Sequence, residues 1–185
     1  MGFVATLWLP IVLSAIFVFV ASSIMHTVLT YHRGDYRKLP DEEKLLGALR
    51  GVGLTRGLYV FPFCTHKQMK SPEMIEKYKQ GPVGMMTVLP SGPPAMPKFL
   101  VSWFGYCLVI GIFVAYLAWH TVAPGANYRV VFRVVGTAAF LAYGLGHLSD
   151  GIWKGQTWSA TIKEVIDGLV YGLLTAGTFG WLWPR

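Results

Sequence analysis

The residues able to do chemistry gather late in the chain and at one point near its start. Tyr143, His147 and Asp150 recur at i, i+4 and i+7, and Glu164, Asp167 and Tyr171 come after them with similar spacing. On helices, each set would share one face. His26 joins them if the apolar runs around these residues cross a membrane, because the end of the first span, the end of the third and the start of the fourth must then lie on one side. Two histidines and up to three carboxylates could ligate a transition metal, since imidazole and carboxylate together suit zinc, iron or manganese. They could also relay protons. Any metal would fall to His26, His147, Asp150 and Asp167. The structural alternative is a satisfied network that locks three helices together, with Asp or Glu accepting from His or Tyr. Glu164 has a simpler account, because Thr161-Ile-Lys-Glu164 fits a capping box at a helix start. The expected buried polar cluster is therefore His26, Tyr143, His147, Asp150, Asp167 and Tyr171.

The elements that must position these residues are apolar. The chain of 185 residues is 54% hydrophobic and only 14% charged, too apolar for an ordinary soluble domain and too short for several. Residues 1 to 32 hold no Asp, Glu, Lys or Arg, more than the roughly 20 apolar residues a crossing helix needs. The first span is placed at about 7 to 29 and is expected to be retained rather than removed as a signal. Pro10 is expected near its beginning, where a missing N–H need not kink it. The second span is placed at about 99 to 122, with Trp103 and Trp119 as interfacial anchors. The third, about 130 to 148, is weakened by Arg133, which must snorkel or pair. The fourth, about 162 to 183, carries Asp167 and closes on Trp181 and Trp183. The expected fold class is all-α membrane protein: a four-helix bundle with a small α+β subdomain at about 31 to 97.

That subdomain carries the signals of soluble structure. Asp41 can cap a short helix that Gly51 ends; Ser71, Pro72 and Gly81 are N-cap, first position and terminator of a second. The β-leaning stretches at 57 to 63 and 84 to 89 could pair as a two-stranded ribbon. Between spans 3 and 4, close packing is expected through Gly168, Gly172, Ala176 and Gly180 against Ala138, Ala142 and Gly146, or between two copies of the chain through the same stripe.

The net charge of +7 does not point to nucleic acid, because 11 of the 16 Lys and Arg lie between Arg33 and Lys98, where they read as a topology signal or an attraction to anionic head groups. The charge distribution favours both termini outside and the loop at 31 to 97 in the cytoplasm. His32, Arg33, Arg37 and Lys38 read as a basic flank at the lipid surface. Cys64 and His66 make only half of a metal site. LRGVGLTRG lacks the Lys-Ser/Thr of a phosphate loop, and neither a nucleophile elbow nor HExxH occurs. No cofactor is implied.

The chain resembles an uncharacterised family of small bacterial membrane proteins, in its segments Leu7 to His26, Tyr31 to Glu42, Gly81 to Pro94 and Asp150 to Arg185. The spaced Asp-Gly, Tyr and glycines of its fourth span also look like those of a broader family of four-span proteins of unknown function. These resemblances imply a four-span architecture in a bacterial inner membrane and bring no reaction, cofactor or catalytic residue. The expected role is a non-catalytic accessory or structural subunit of a membrane assembly, with a membrane-protein partner or a second copy. The alternatives are a small transporter or metal- or proton-handling protein using the His/Asp cluster, and a membrane enzyme.

Overall fold

The structure, a computed structural model, describes residues 2–184. It is mostly helical, with three long apolar helices and a small two-stranded sheet. The chain divides into two compact units, Met1–Asp35 with Ala95–Arg185, and Tyr36–Pro94.

The larger unit begins with helix α1, Phe3–Thr27, whose uncharged sequence leaves the backbone's own hydrogen bonds as its only polar requirement. Pro10 lies inside this helix rather than at its start, and the helical dihedrals break at Leu7, with φ −106° and ψ 15°. The cause is that proline supplies no N–H and its ring crowds the preceding turn. Helix α4, Met96–Thr121, comes after the smaller unit, and α5, Tyr128–Tyr143, starts under an Asn127 cap that accepts from the Val130 amide. A 3-10 turn at Leu145–His147 leads to α6, Leu148–Trp153. The last helix is α7, Trp158–Trp181, capped by Thr157. Thus Thr161-Ile-Lys-Glu164 lies inside this helix and caps nothing.

Three stretches are long and apolar enough to cross a membrane: Phe3–Thr27, Met96–Thr121 and Tyr128–Trp153. Helix α7 has comparable length, but Lys163, Glu164 and Asp167 in its early turns and its many Gly and Thr make it less apolar. Arg133 is exposed on α5 and forms no ion pair among the described residues.

α5 and α7 form the most extensive helix pair; α1 packs on both α4 and α7, and α4 also touches α5. The buried positions recur every three or four residues, as in Leu7, Ile11, Ala15, Val18 and Ser22 on α1, the spacing of a single contact stripe. The close approach of α5 and α7 results from missing side chains. A Cβ on Gly168 would fall well inside contact distance of the Gly144 backbone, one on Gly172 would stand 3.1 Å from the Phe140 amide nitrogen, and one on Gly180 would stand 2.8 Å from the Tyr128 ring. Gly136 meets the Ala176 methyl in the same way, at 3.1 Å. The α7 stripe is therefore used within the chain, but its counterpart on α5 is Tyr128, Gly136, Phe140 and Gly144. Ala138 lines a shallow outer depression beside Arg133, and Gly146 has open space around it. At the far end of α7, Trp183 donates to the Ala123 carbonyl at 3.0 Å, and Gly125 donates to the Pro184 carbonyl at 2.9 Å.

The smaller unit holds α2, Glu42–Val52, capped by Asp41 at the Lys44 amide. Gly51 lies within this helix, and Gly53, at φ 69°, ends it, because the residue that leaves a helix through the left-handed region must do without a Cβ. Strands β1, Gly57–Phe61, and β2, Gly84–Val88, pair antiparallel with Gly57 opposite Val88 and Phe61 opposite Gly84. Between them runs α3, Pro72–Gln80, capped by Ser71 at the Met74 amide and ended at Gly81.

Replacing Gly168 by Ala should lower the thermal unfolding midpoint strongly, because Gly144 offers backbone and not a flexible side chain to yield; overpacking of this kind costs about 1–3 kcal/mol or more. Gly105→Ala on α4, with open space around it, should leave the midpoint unchanged or slightly raised. The pair can be compared by thermal unfolding of the purified protein in nanodiscs.

Candidate functional site

The site is built where α1 ends. After Thr27 the chain turns twice, with Arg33 donating to the Thr30 carbonyl and Asp35 to that of His32. This brings Tyr31, His32 and Asp35 against the first turns of α7. Lys163 and Asp167 are four residues apart on α7, so one helix face presents a cation and then an anion, and the turn answers with an anion and then a cation. Lys163 donates to Asp35 at 2.5 Å and to the Tyr31 carbonyl at 2.6 Å. His32 bridges two carboxylates, with Nδ1 2.7 Å from Asp35 Oδ2 and Nε2 2.8 Å from Asp167 Oδ2. The Tyr31 hydroxyl donates to Asp167 Oδ1. His26, on the last turn of α1, stacks on the His32 ring with centroids 4.6 Å apart and places Nε2 3.9 Å from Asp167 Oδ2.

These partners perturb the groups outside the helices. Burial alone would pull the His32 imidazole down, but its bonds to Asp35 and Asp167 outweigh that and hold its pKa above the ordinary histidine value. The Lys163 ammonium, and then His32, hold the Asp35 carboxyl below the usual carboxylate range. Burial, reinforced by Asp167, raises the Tyr31 phenol. With His32 and Lys163 cationic and the two aspartates anionic, the charges balance.

A second polar group lies beside the first. His147 Nδ1 is 3.2 Å from Glu164 Oε2 and 4.0 Å from Asp150 Oδ2, while Lys154 takes Asp150 at 2.6 Å. The His147–Glu164 contact is within ion-pair distance, but its angles are not those of a hydrogen bond, so Oε2 counts as a buried acceptor without one. The sequence spacing puts Tyr143, His147 and Asp150 on one face, yet the structure separates them. Helix α5 gives way at Gly144 to a 3-10 turn, whose tighter period rotates the residues beyond it. Tyr143 is left in the core while His147 and Asp150 turn toward α7. Of the expected cluster, His26 and Asp167 are brought together, His147 and Asp150 form their own group with Glu164, and Tyr143 and Tyr171 join neither ion-pair network.

Those two tyrosines belong instead to a cycle of four aromatic rings. Trp103, Tyr106, Tyr143 and Tyr171 contact one another in turn, with centroids 5.5 to 6.2 Å apart and three of the four pairs edge to face, the arrangement that ring quadrupoles favour. Trp103 donates to Ser22 Oγ at 2.8 Å and so joins α4 to α1, where the sequence suggests an outward anchor. The four rings line a cavity of about 580 Å³ together with His26, Glu164 and Asp167. Its walls are mainly apolar. Tyr171 is only 4% exposed and its hydroxyl has no hydrogen-bond partner among the described residues.

Tyr31, Asp35 and Lys163 escape the sequence reading, and His32 enters it as a lipid-facing cation rather than a bridge between carboxylates. A signal was present: Asp35 is the first acidic residue of the chain, three positions after a histidine, and Lys163 and Asp167 form the complementary pair at helical spacing. In the smaller unit, Cys64 contacts the Tyr78 hydroxyl at 3.1 Å, and neither it nor His66 belongs to a potential ligand group among the described residues. Comparison of the chain with protein-family models, with characterised proteins and with solved structures finds no match.

Linkage gives the network a pH window when chelator is present. A carboxyl held low contributes stability above its unfolded pKa and loses it as pH falls through the folded value; an imidazole held high contributes below its unfolded pKa and loses it as pH rises through the folded value. The unfolding midpoint should therefore fall on the acid side through Asp35 and on the alkaline side through His32. Asp35→Asn should flatten the acid limb and His32→Gln the alkaline one, measured as midpoint against pH.

Proposed function

We propose that this chain is a membrane protein of four spans, with α7 as the fourth, that binds a small molecule in the cavity among α1, α4, α5 and α7 without transforming it. The expectation of a non-catalytic accessory protein is kept, and a binding site is added to it. Helix α7 has 24 residues, about 36 Å at 1.5 Å per residue, enough to cross the roughly 30 Å of hydrocarbon. Its charges sit in the early turns, where Lys163 and Asp167 have partners from the turn after α1. The excess of Lys and Arg between Arg33 and Lys98 favours a cytoplasmic position for that segment and outer positions for both termini.

The observation that carries the binding reading is the cavity itself. About 580 Å³ lies within the range of small-molecule sites, which combine apolar walls with a few directed polar groups. The Tyr171 hydroxyl is such a group, and a buried hydroxyl left without a partner costs about 1–3 kcal/mol, which a ligand acceptor would recover. The serine and threonine hydroxyls that line the cavity are engaged elsewhere: Ser22 and Ser23 donate to the Phe19 carbonyl and Thr27 to that of Ser23. That supports binding over catalysis.

Native mass spectrometry of the protein extracted from its membrane should show a retained adduct on the order of a few hundred daltons, the size such cavities hold. Tyr171→Phe should weaken retention while leaving the apo protein as stable or more so, since it removes the unpartnered hydroxyl. A wild type without adduct, or a variant that retains it equally, would refute the reading.

A further inference from the structure

We propose that His26, His32 and Asp167 together bind a divalent transition-metal ion. The donor set is two imidazoles and one carboxylate, all of which can be brought to bear on one point: their nearest ligand atoms lie within 4.8 Å of one another. Around a four-coordinate zinc, donors at about 2.0–2.2 Å stand about 3.3 Å apart. The observed separations from Asp167 Oδ2, 2.8 Å to His32 Nε2 and 3.9 Å to His26 Nε2, straddle that value. The two rings are stacked within 19° of parallel, so their in-plane lone pairs meet at one ion only after an imidazole turns about its side-chain bonds.

The atoms that would not touch the ion are already held. His26 Nδ1 is 3.1 Å from the Ser22 carbonyl, which accepts only from an N–H and so leaves Nε2 with the lone pair. His32 Nδ1 is 2.7 Å from Asp35, which Lys163 fixes in turn. Asp167 Oδ1 is engaged by the Tyr31 hydroxyl, and Oδ2, which accepts from His32 Nε2 in the metal-free state, becomes a donor together with Nε2 when the ion displaces the proton they share. A carbonyl or carboxylate behind each imidazole is the arrangement that orients metal-ligating histidines and makes them more basic.

A second observation points to a bound group at the same place. His26 and Asp167 line the cavity, and so does Tyr171, four residues on from Asp167, whose buried hydroxyl has no partner among the described residues. Three protein ligands leave a coordination position for water or another ligand, and such a ligand could satisfy that hydroxyl from the cavity. The neighbouring group of His147, Asp150 and Glu164 is a weaker candidate, because it has one histidine and Asp150 is committed to Lys154. The order of divalent affinities favours zinc over manganese or iron at such a site.

The test uses the full chain in nanodiscs, stripped with chelator and equilibrated with zinc at micromolar free concentration, with bound metal counted by elemental analysis. Cobalt(II) serves as a spectroscopic probe. The expected result is one zinc per chain and the intense visible bands of low-coordinate cobalt. His26→Gln and His32→Gln should each lower zinc affinity by more than about tenfold, beyond the loss typical of an outer-shell change alone, while His66→Gln and His120→Gln keep the wild-type count. His26 is exposed enough, at 54% of its side chain, for its variant to fold, and circular dichroism checks this. A wild type without zinc, or equal retention by both site variants, overturns the proposal. Metal binding does not depend on the cavity's organic ligand. A wild type that carries an adduct but takes up no zinc on equilibration therefore refutes the metal site alone, and zinc binding without an adduct refutes the small-molecule reading alone.

Discussion

The carboxylate of Asp167 is the constraint to which the larger unit answers. It sits on a helix that packs along α1 and α5, with its side chain 4% exposed. An ionised carboxylate stripped of water and left alone would neutralise itself or unfold the site, and removing one partner of a buried pair costs about 3–5 kcal/mol. Both Asp167 oxygens are engaged, by Tyr31 and His32, and both partners lie beyond the end of α1. The need to satisfy one anion therefore dictates that the chain turn back on α7 before it enters the smaller unit. Lys163 completes the balance by taking the second carboxylate, Asp35, that the turn brings with it.

Glycine sets the depth at which this happens. Gly168 stands directly after Asp167, and its missing side chain lets the Gly144 backbone approach α7. At the same Gly144, α5 changes to a 3-10 turn, so the closest helix approach and the change of helical period coincide. Below that point the rings of Tyr143 and Tyr171 fill the core; above it, His147 turns toward Glu164. The cavity opens between these two regimes, bounded by Trp103 and Ser22 on α4 and α1. Apolar wall, buried hydroxyl and paired charges thus meet at one place because of how two helices cross.

The sequence made the long helices legible through hydropathy, and the caps at Asp41 and Ser71 through local hydrogen bonding that needs no tertiary context. Where it misled, the deciding forces were non-local. Gly51 looks like a terminator, yet a helix ends where the backbone turns left-handed, and that is Gly53. The face shared by Tyr143, His147 and Asp150 assumes a constant helical period, which the packing at Gly144 breaks. Ala138, Ala142 and Gly146 are small residues at the right spacing on the wrong side of α5, because Gly136, Phe140 and Gly144 take the contact. His32 reads as a lipid-facing cation until Asp167 is known to lie beside it, a fact separated from it by 135 positions of sequence. Asp167 itself was visible as an awkward charge in an apolar run; its partners were not.

Whether Asp167 is the hub of this unit is decided most sharply by a double-mutant cycle between His32 and Asp167, with His32→Gln, Asp167→Asn and the double variant compared by equilibrium unfolding in chelator. If the buried carboxylate is what draws the turn onto α7, the two changes should be strongly non-additive, with a coupling energy of at least about 1 kcal/mol, as expected of residues in one network. Additivity within about 0.5 kcal/mol would contradict it, showing that the turn is held by other contacts and that Asp167 is not its hub.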